Sequence, residues 1–288
     1  MFFIKPTKIE HWESNCFAVL NAVFIQNPNA KHVMPPSRER VFITNGLPSG
    51  FLYGVVNMQF DRIRMIINEN KLNEIQKKNI LIIGIGGVGG SALESLVRFG
   101  IINITIIDGD IVDITNLNRQ IITLHSNIGQ NKVDVAKSRA LDINPIININ
   151  DLNLFLDSNN INELLNNNYD YIIDACDTIT TKLEIIKYCQ NNNIKLISCL
   201  GTGNRFDPTK LEITTLKKTH SDPLAKILRK LVKDNNLNLN VNVVWSNELP
   251  IKTNERTPGS NSLVPNVAGI YLASYIINDI LKEETANL

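Results

Sequence analysis

The sequence predicts an α/β fold with a doubly wound, mainly parallel sheet and a smaller C-terminal β/α extension. Short apolar runs recur from residue 79 onward, stretches with helical spacing separate them, and no linker interrupts the alternation. Repeated strand–helix–strand units cross over in the right-handed sense, which places the strands in parallel with helices on both faces. A ligand is then expected at the carboxyl ends of the strands.

Residues 1–57 have no clear periodicity, so we treat them as an N-terminal segment of unknown role and residues 58–288 as one domain. The apolar runs within that domain predict its strands in order, and the amphipathic stretches between them predict helices. Strands are expected at 79–84, 104–110, 146–154, 169–176, 194–200, 211–216 and 241–246, and helices at 91–99, 132–141, about 222–234 and about 264–281.

Composition narrows the class of protein. The 288 residues are 43% hydrophobic with a net charge of +1, so the chain has no global field that indicates a nucleic-acid partner. Its apolar runs are shorter than the ~20 residues of a membrane span, and its first residues lack the features of a secretory signal. We therefore expect a cytoplasmic protein without a membrane partner. The four cysteines include no CxxC pair, which disfavours a disulfide framework and a zinc site.

A glycine-rich turn follows the first strand. Gly84, Gly86 and Gly89 have GxGxxG spacing between that strand and a helix, where backbone N–H groups and the helix dipole favour phosphate. Asp108 ends the next strand, 19 residues beyond Gly89, where a carboxylate binds ribose hydroxyls. The sequence thus predicts a Rossmann-like nucleotide site.

The residues that follow separate two kinds of nucleotide enzyme. An NAD-dependent oxidoreductase has little use for extra cations at its pyrophosphate, whereas attack on an α-phosphate develops charge that fixed cations stabilise. Arg119 and Lys132 are the candidate cations. Taken singly, each is also compatible with an ordinary surface charge.

Five motifs occur in one order: GIGGVGG, DGD, NLNRQ, GQNK and DACDT. In order and spacing they resemble those of ubiquitin-activating-enzyme-like adenylyltransferases. The resemblance implies ATP and Mg²⁺ as cofactors, with Arg119, Lys132 and Asp177 as catalytic residues and Asp177 as the metal ligand. The residues that it implies at the nucleotide are Gly84, Gly86, Gly87, Gly89, Asp108, Asp110, Asn116, Arg119, Lys132 and Arg62.

Two further roles concern Arg62 and Asp174. Residues 60–75 resemble the family's entry helix, whose arginine reaches into the site of a partner subunit, so the resemblance implies a homodimer. A plain surface charge is the alternative for Arg62. Asp174 is expected to be buried scaffolding.

The C-terminal third distinguishes members of this superfamily. CLGTGNRFDPTKLEI, KTHSDPLAKILRKL and GSNSLVPNVAGIYLASYII resemble segments of the tRNA threonylcarbamoyladenosine dehydratases, and the likeness spans about residues 59–281. Those enzymes use ATP to activate a carboxylate of the modified adenosine beside the anticodon, which then cyclises. The alternative is activation of the C-terminus of a ubiquitin-like or sulfur-carrier protein, with that carrier as partner.

A tRNA substrate predicts a local basic patch. Residues 205–233 contain eight basic and three acidic residues, a net charge of +5, and an exposed cationic face is what phosphate binding requires. A solvated helix face is the alternative explanation. Cys176 and Cys199 lie near strand ends but are expected to be structural, because ring closure within one modified base needs no enzyme thiol.

Overall fold

The computed structural model describes residues 58–165, 168–255 and 257–285; the predicted N-terminal segment lies outside this part of the chain. Its seven strands form one sheet. The strands are β1 (Asn79–Ile83), β2 (Asn103–Ile107), β3 (Asn148–Leu152), β4 (Tyr171–Asp174), β5 (Lys195–Cys199), β6 (Leu211–Thr215) and β7 (Asn242–Ser246). The helices are α1 (Asp61–Lys77), α2 (Gly87–Phe99), α3 (Lys132–Ile143), α4 (Ile161–Leu164), α5 (Ile179–Asn192), α6 (Pro223–Asp234) and α7 (Val264–Thr285).

The strand order is β3-β2-β1-β4-β5-β7-β6, with every neighbouring pair parallel except β7 and β6. The chain winds outward from β1 in one direction and from β4 in the other, so the order reverses between these two strands. Their carboxyl ends open a crevice there, which is where ligands bind in such sheets. The predicted doubly wound sheet and its β/α extension are confirmed.

The central strands read as almost continuous apolar runs because both faces of the sheet are covered. In β1, Ile80 and Ile82 pack into one core with α1, α2, α3 and α7, while Leu81 and Ile83 pack into a second core with α4, α5 and α6. This alternation follows from the period of two along a strand. Two apolar layers therefore hold the sheet rigid beneath the crevice.

Helix α7 crosses the back of the sheet. By length and composition, Val264–Lys282 is apolar enough to cross a membrane, and it is the one such helix in the part of the chain that the structure describes. Ala268, Leu272 and Ile276 are fully buried against the sheet and α2. A Cβ at Gly269 would lie 2.2 Å from the carbonyl oxygen of Val88 at the start of α2, so glycine permits this close approach. The apolar composition of α7 is thus accounted for by its place in the core.

Candidate active site

The main cavity of the described chain has a volume of about 740 Å³ and opens at the crevice between β1 and β4. One half is lined by the glycine loop, the end of β2, Asn116, Arg119 and Gln120. The other half is lined by residues 199–203 after β5 and by Thr257, Pro258 and Ser260. The chain between β7 and α7 crosses this second half, and we call its residues 257–261 the strap. The cavity can therefore hold a nucleotide and a second reactant together.

The glycine loop forms the floor of the nucleotide half. Gly84 has a φ of +88°, and a Cβ there would lie 2.9 Å from the carbonyl carbon of Ala175. At Gly89 a Cβ would lie 1.8 Å from the carbonyl oxygen of Gly84, so the turn tolerates no side chain. Gly86 precedes α2 and Gly87 begins it. The N-terminus of α2 therefore faces the cavity, as a phosphate site requires.

Asp108 lies at the end of β2 with its carboxylate fixed in place. Its Oδ2 accepts a hydrogen bond from the backbone N–H of Ile85 at 2.6 Å, and its Oδ1 accepts one from that of Asp110 at 2.8 Å. Each carboxylate oxygen accepts more than one bond, so both retain capacity toward the cavity. This geometry fits the expected contact with ribose hydroxyls.

Two of the expected ATP contacts pair with each other. Lys132 begins α3, and its Nζ lies 2.6 Å from Oδ2 of Asp110, while its backbone N–H donates to the Asp110 carbonyl. The ammonium group is buried but the carboxylate is half exposed. Asp110 is thus suited to aligning Lys132, and the lysine is the member of the pair that attracts phosphate.

Residues 113–120 form the wall that faces α2. Nη1 of Arg119 donates to the carbonyl of Thr115 at 2.8 Å and to Oδ1 of Asn118 at 2.9 Å. Oδ1 of Asn116 accepts from the backbone N–H of Asp113, which leaves its NH₂ group as the donor for a ligand. Both expected phosphate contacts line the cavity.

Gln120 is a wall residue that the sequence reasoning missed. Its side chain is buried, and within the described residues its Oε1 has no hydrogen-bond partner. A Cβ on Gly86 would lie 3.8 Å from its Nε2, so the amide borders the glycine loop. Buried amide oxygens are normally satisfied, so this one can accept a hydrogen bond from a donor in the cavity. Its place at the end of the NLNRQ motif is the signal that could have revealed it.

Asp177 lies at the rim, three residues after the end of β4, and its exposed carboxylate borders the cavity. Within the described residues no group of three or more His, Cys, Asp or Glu side chains could hold a metal ion. A single carboxylate still fits Mg²⁺, which commonly takes one or two carboxylates and completes its shell with phosphates and water.

The base of the cavity between β4 and β5 contains a buried charged pair. Nζ of Lys182 lies 2.9 Å from Oδ2 of Asp174 and 2.7 Å from the carbonyl oxygen of Cys199, and both side chains have no exposed surface. Ser198 also donates to the same Asp174 oxygen at 2.5 Å. Burial is the largest influence on the pKa of Lys182 and would lower it, but the charge and hydrogen bond of Asp174, together with Cys176 and Cys199, outweigh burial and raise that pKa. The expected scaffold role of Asp174 fits these contacts; Lys182 was not anticipated.

Neither cysteine at the cavity is an activated nucleophile. Burial, together with the charge of Asp174, raises the pKa of Cys176 far above its ordinary value, and its Sγ donates to Oδ1 of Asp174 at 3.0 Å. Burial likewise raises the pKa of Cys199 to about 12. A thiol needs a lowered pKa to react at neutral pH, so the structure favours the structural role expected for both.

The basic segment 205–233 requires one correction. Arg205 was counted in the surface patch, but it is buried and paired with the equally buried Asp222 at 3.1 Å. Its Nη1 also donates to the carbonyls of Ser246 and Glu248. Asp222 caps α6 through the backbone N–H of Ala225. Arg205 is therefore an internal link between the loop after β5, β7 and α6.

Six lysines of the segment are exposed: Lys210, Lys217 and Lys218 precede α6, and the other three lie on one face of that helix. Lys226, Lys230 and Lys233 are exposed at helical spacing, whereas Arg229 is partly buried and donates to the carbonyl of Thr219. We call these three lysines the α6 face. The helical recurrence seen in the sequence is confirmed for three of its four cations.

Arg62 does not line the cavity of its own chain. It lies exposed in the first turn of α1, and Met65 and Ile66 beside it are each 83% exposed. The helix is interrupted at Asn68, which has a φ of 62°. The expected contact of Arg62 with the nucleotide site of a partner subunit stays a prediction.

A glycine loop at a helix N-terminus, a carboxylate at the end of the next strand and two cations in the same cavity are the features expected of a nucleotide-binding α/β domain of the adenylate-forming class. The sequence pattern of the ThiF family matches residues 60–245. The chain belongs to the ThiF family.

Similar proteins share nearly the whole described chain. The tRNA threonylcarbamoyladenosine dehydratase of Bacillus subtilis is 36% identical over 242 residues, which is 78% of this chain and 95% of the relative. The dehydratase of Escherichia coli is 38% identical over 197 residues, which is 66% of this chain and 74% of the relative. The crystal structure of the E. coli dehydratase with ATP has a TM-score of 0.75 and 33% identity, and the match covers 80% of this chain and 96% of that one.

Proposed function

We propose that this protein is an ATP-dependent tRNA threonylcarbamoyladenosine dehydratase. It activates the carboxylate of the modified adenosine beside the anticodon as an acyl-adenylate, and the activated group then cyclises. The observation that carries the proposal is one cavity that joins a nucleotide half to an open second half without an activated thiol. The similarity to dehydratases along most of the chain supports the same substrate.

The first step makes the adenylate. A carboxylate oxygen of the substrate attacks the α-phosphorus of ATP, the bond to the β-phosphate breaks, and pyrophosphate leaves. Negative charge grows on the phosphate oxygens as this happens, so cations held in advance lower the barrier. Arg119 and Lys132 supply that charge, and backbone N–H groups at the start of α2 add to it. Asp108 holds the ribose on the other side.

The second step closes the ring. A nitrogen of the same modification attacks the activated acyl carbon, a carbon–nitrogen bond forms, and the nitrogen gives up its proton to solvent. The bond from that carbon to the phosphate oxygen breaks, and AMP leaves with the electron pair. Nucleophile and acyl group belong to one molecule, so effective concentration drives the step and no covalent enzyme intermediate is needed. The raised pKa values of Cys176 and Cys199 agree with this.

Magnesium is part of the proposal. Asp177 is the carboxylate that would hold the ion, which would neutralise phosphate charge when bound. Support comes from the place of Asp177 at the cavity rim and from its exposure to solvent, which leaves it free to bind a hydrated cation.

We also place the protein in the cytoplasm, where tRNA and ATP meet, and infer that it works as a homodimer. The exposed face of α1 supports the dimer, since Met65 and Ile66 are large apolar side chains in water. Arg62 on that face would then reach the cavity of the partner. Sedimentation velocity of the full chain tests the dimer, and a monomer at micromolar concentration would contradict it.

The α6 face supports tRNA as the partner. Lys226, Lys230 and Lys233 project from one side of a helix whose N-terminal cap, Asp222, is tied to Arg205 in the loop that lines the second half of the cavity. Lysines so placed can contact RNA phosphates, which fix the position of the substrate without reading its bases.

Mass spectrometry of nucleosides tests the proposal. tRNA that contains threonylcarbamoyladenosine is incubated with the protein and ATP, and we expect a product lighter by one water, which the Arg119→Ala variant should form far more slowly. If no product forms, but a ubiquitin-like or sulfur-carrier protein with a Gly-Gly tail triggers pyrophosphate exchange, the protein is a carrier activator instead. If neither occurs, the proposal is wrong.

A further inference from the structure

Asn118 lies between the strap and Arg119. Its Nδ2 donates a hydrogen bond to the carbonyl of Ser260 in the strap at 2.9 Å, across 142 residues of sequence. Its Oδ1 accepts a hydrogen bond from Nη1 of Arg119, also at 2.9 Å. A single amide group therefore contacts both the wall of the second half and a cation of the nucleotide half.

The opposite side of the strap is fixed to the loop after β5. Asn204, with a left-handed φ of 57°, exchanges two hydrogen bonds with Gly259: its N–H donates to the Gly259 carbonyl at 2.8 Å, and its Oδ1 accepts from the Gly259 N–H at 2.6 Å. Nδ2 of Asn261 donates to the carbonyl of Arg205 at 2.7 Å. The strap is thus held on one side by residues 204 and 205, and on the other by Asn118.

The contact with Asn118 also sets the orientation of the Arg119 guanidinium group. Its guanidinium donates to the carbonyl of Thr115 and to Oδ1 of Asn118, and both hydrogen bonds use Nη1. Within the described residues its Nε and Nη2 make no ion pair, so that edge is available to two phosphate oxygens at once. Bidentate pairing of this kind depends on orientation, and a rotation about the last side-chain bonds would lose one of the two contacts.

We propose that Asn118 is a positioning residue that couples the strap to Arg119, so that the wall of the second half and the phosphate-binding edge are set together. Removal of the amide frees Arg119 to rotate and releases one side of the strap. The inference rests on the proposed function only for the identity of the second reactant, because orientation of Arg119 matters for ATP in any adenylate-forming reaction.

A double-mutant cycle tests this coupling. The affinity for ATP is measured by calorimetry without tRNA for the unaltered protein, Asn118→Ala, Arg119→Ala and the double variant. As a single substitution, Asn118→Ala should weaken ATP binding about tenfold. Added to Arg119→Ala, it should weaken ATP binding less than about twofold, because the effects of coupled residues are not additive. The control is Asn261→Ala, which loosens the strap from the other side and should have the same effect in both backgrounds.

A second readout separates positioning from a general loss of structure. In the tRNA assay, Asn118→Ala should lower kcat more than it raises KM for ATP, because the orientation of Arg119 matters most in the transition state. Additive effects of Asn118→Ala and Arg119→Ala on ATP affinity would overturn the inference. If the two substitutions have coupled effects on ATP affinity but the protein makes no cyclised product, the role of Asn118 holds and only the proposed function is overturned.

Discussion

Two lysine–aspartate pairs lie at the same cavity in different surroundings. Lys182 and Asp174, at the base, have no exposed surface, and Ser198 and the Cys199 carbonyl complete their hydrogen bonds. Lys132 and Asp110, at the rim, share one short contact, and the carboxylate is 54% exposed. Water can replace the partner of a charge at the rim but not at the base, so the base pair is suited to holding strand ends and the rim pair to exchanging partners with a ligand.

The largest expected effect comes from breaking the base pair. Lys182→Met leaves Asp174 buried without its counter-charge, which should cost about 3–5 kcal/mol in the free energy of unfolding. The control is Lys137→Met, whose pair with Asp151 is partly exposed and should contribute less than about 1 kcal/mol. Urea unfolding measures both. Similar losses in the two variants would mean that the base pair is no more than a surface ion pair.

Substitutions at the rim should change catalysis strongly and stability little. Arg119→Ala and Lys132→Ala should each lower kcat by about 10²–10³-fold, because they remove charge that acts mainly in the transition state. Their free energies of unfolding should change by less than about 1 kcal/mol, since exposed Asp110 is solvated once Lys132 is gone. Steady-state kinetics and urea unfolding of the same preparations provide the measurement. An unchanged kcat in both variants would rule out the adenylation mechanism.

Asp177 is a rim carboxylate without a lysine partner among the described residues. Asp177→Asn removes the charge that a hard cation prefers, so at limiting magnesium we expect turnover to fall by on the order of tenfold or more. Excess magnesium should recover part of the activity. Thermal unfolding without magnesium should match that of the unaltered protein. Full activity of the variant at limiting magnesium would show that Asp177 is not the ligand.

The α6 face extends the comparison to charges outside the cavity. Reversing Lys226, Lys230 and Lys233 to Glu should weaken tRNA binding about tenfold or more and flatten its dependence on salt, since fewer counterions are released. ATP affinity should not change. A reversal of Lys77, Lys137 and Lys187 alters the net charge equally and serves as control. Filter binding across a salt series measures the tRNA affinity of the variant and of the control. If affinity falls with salt equally steeply in both, the α6 face does not contact tRNA.

The smallest effect is expected at the thiols. The Cys176→Ala, Cys199→Ala variant should retain turnover within about threefold, since ring closure needs no thioester. Lost turnover with intact adenylate formation would contradict this.

The same thiols predict a pH effect on stability. The pKa of Cys199 is raised from an ordinary 9.0 to about 12, so above pH 9 the unfolded chain releases a proton that the folded chain keeps. This contribution to stability is fully present below pH 9 and is lost as the pH rises toward 12. Cys199→Ala should show a shallower loss over that range in urea titrations, and an equal loss would contradict the shift.

The fold and the nucleotide half could be predicted because their signals are local. Alternating apolar runs and helical spacing report which faces are buried, and the turn of Gly84 and Gly89 needs glycine for steric reasons that act within a few residues. Asp108 follows from its place at the end of the next strand. The seven strands were therefore accessible from the sequence, as was the half of the cavity at the ends of β1 and β2.

Tertiary structure alone decided the rest. Lys182 and Arg205 look like ordinary surface cations in the sequence, yet both are buried because a carboxylate from another element meets them. Gln120 carries an unsatisfied oxygen only because packing removes it from water. Asn118 meets the strap across 142 residues. A sequence pattern reports the burial of neighbours along the chain, whereas the partner of a buried charge or amide depends on which distant segments the folded sheet brings together.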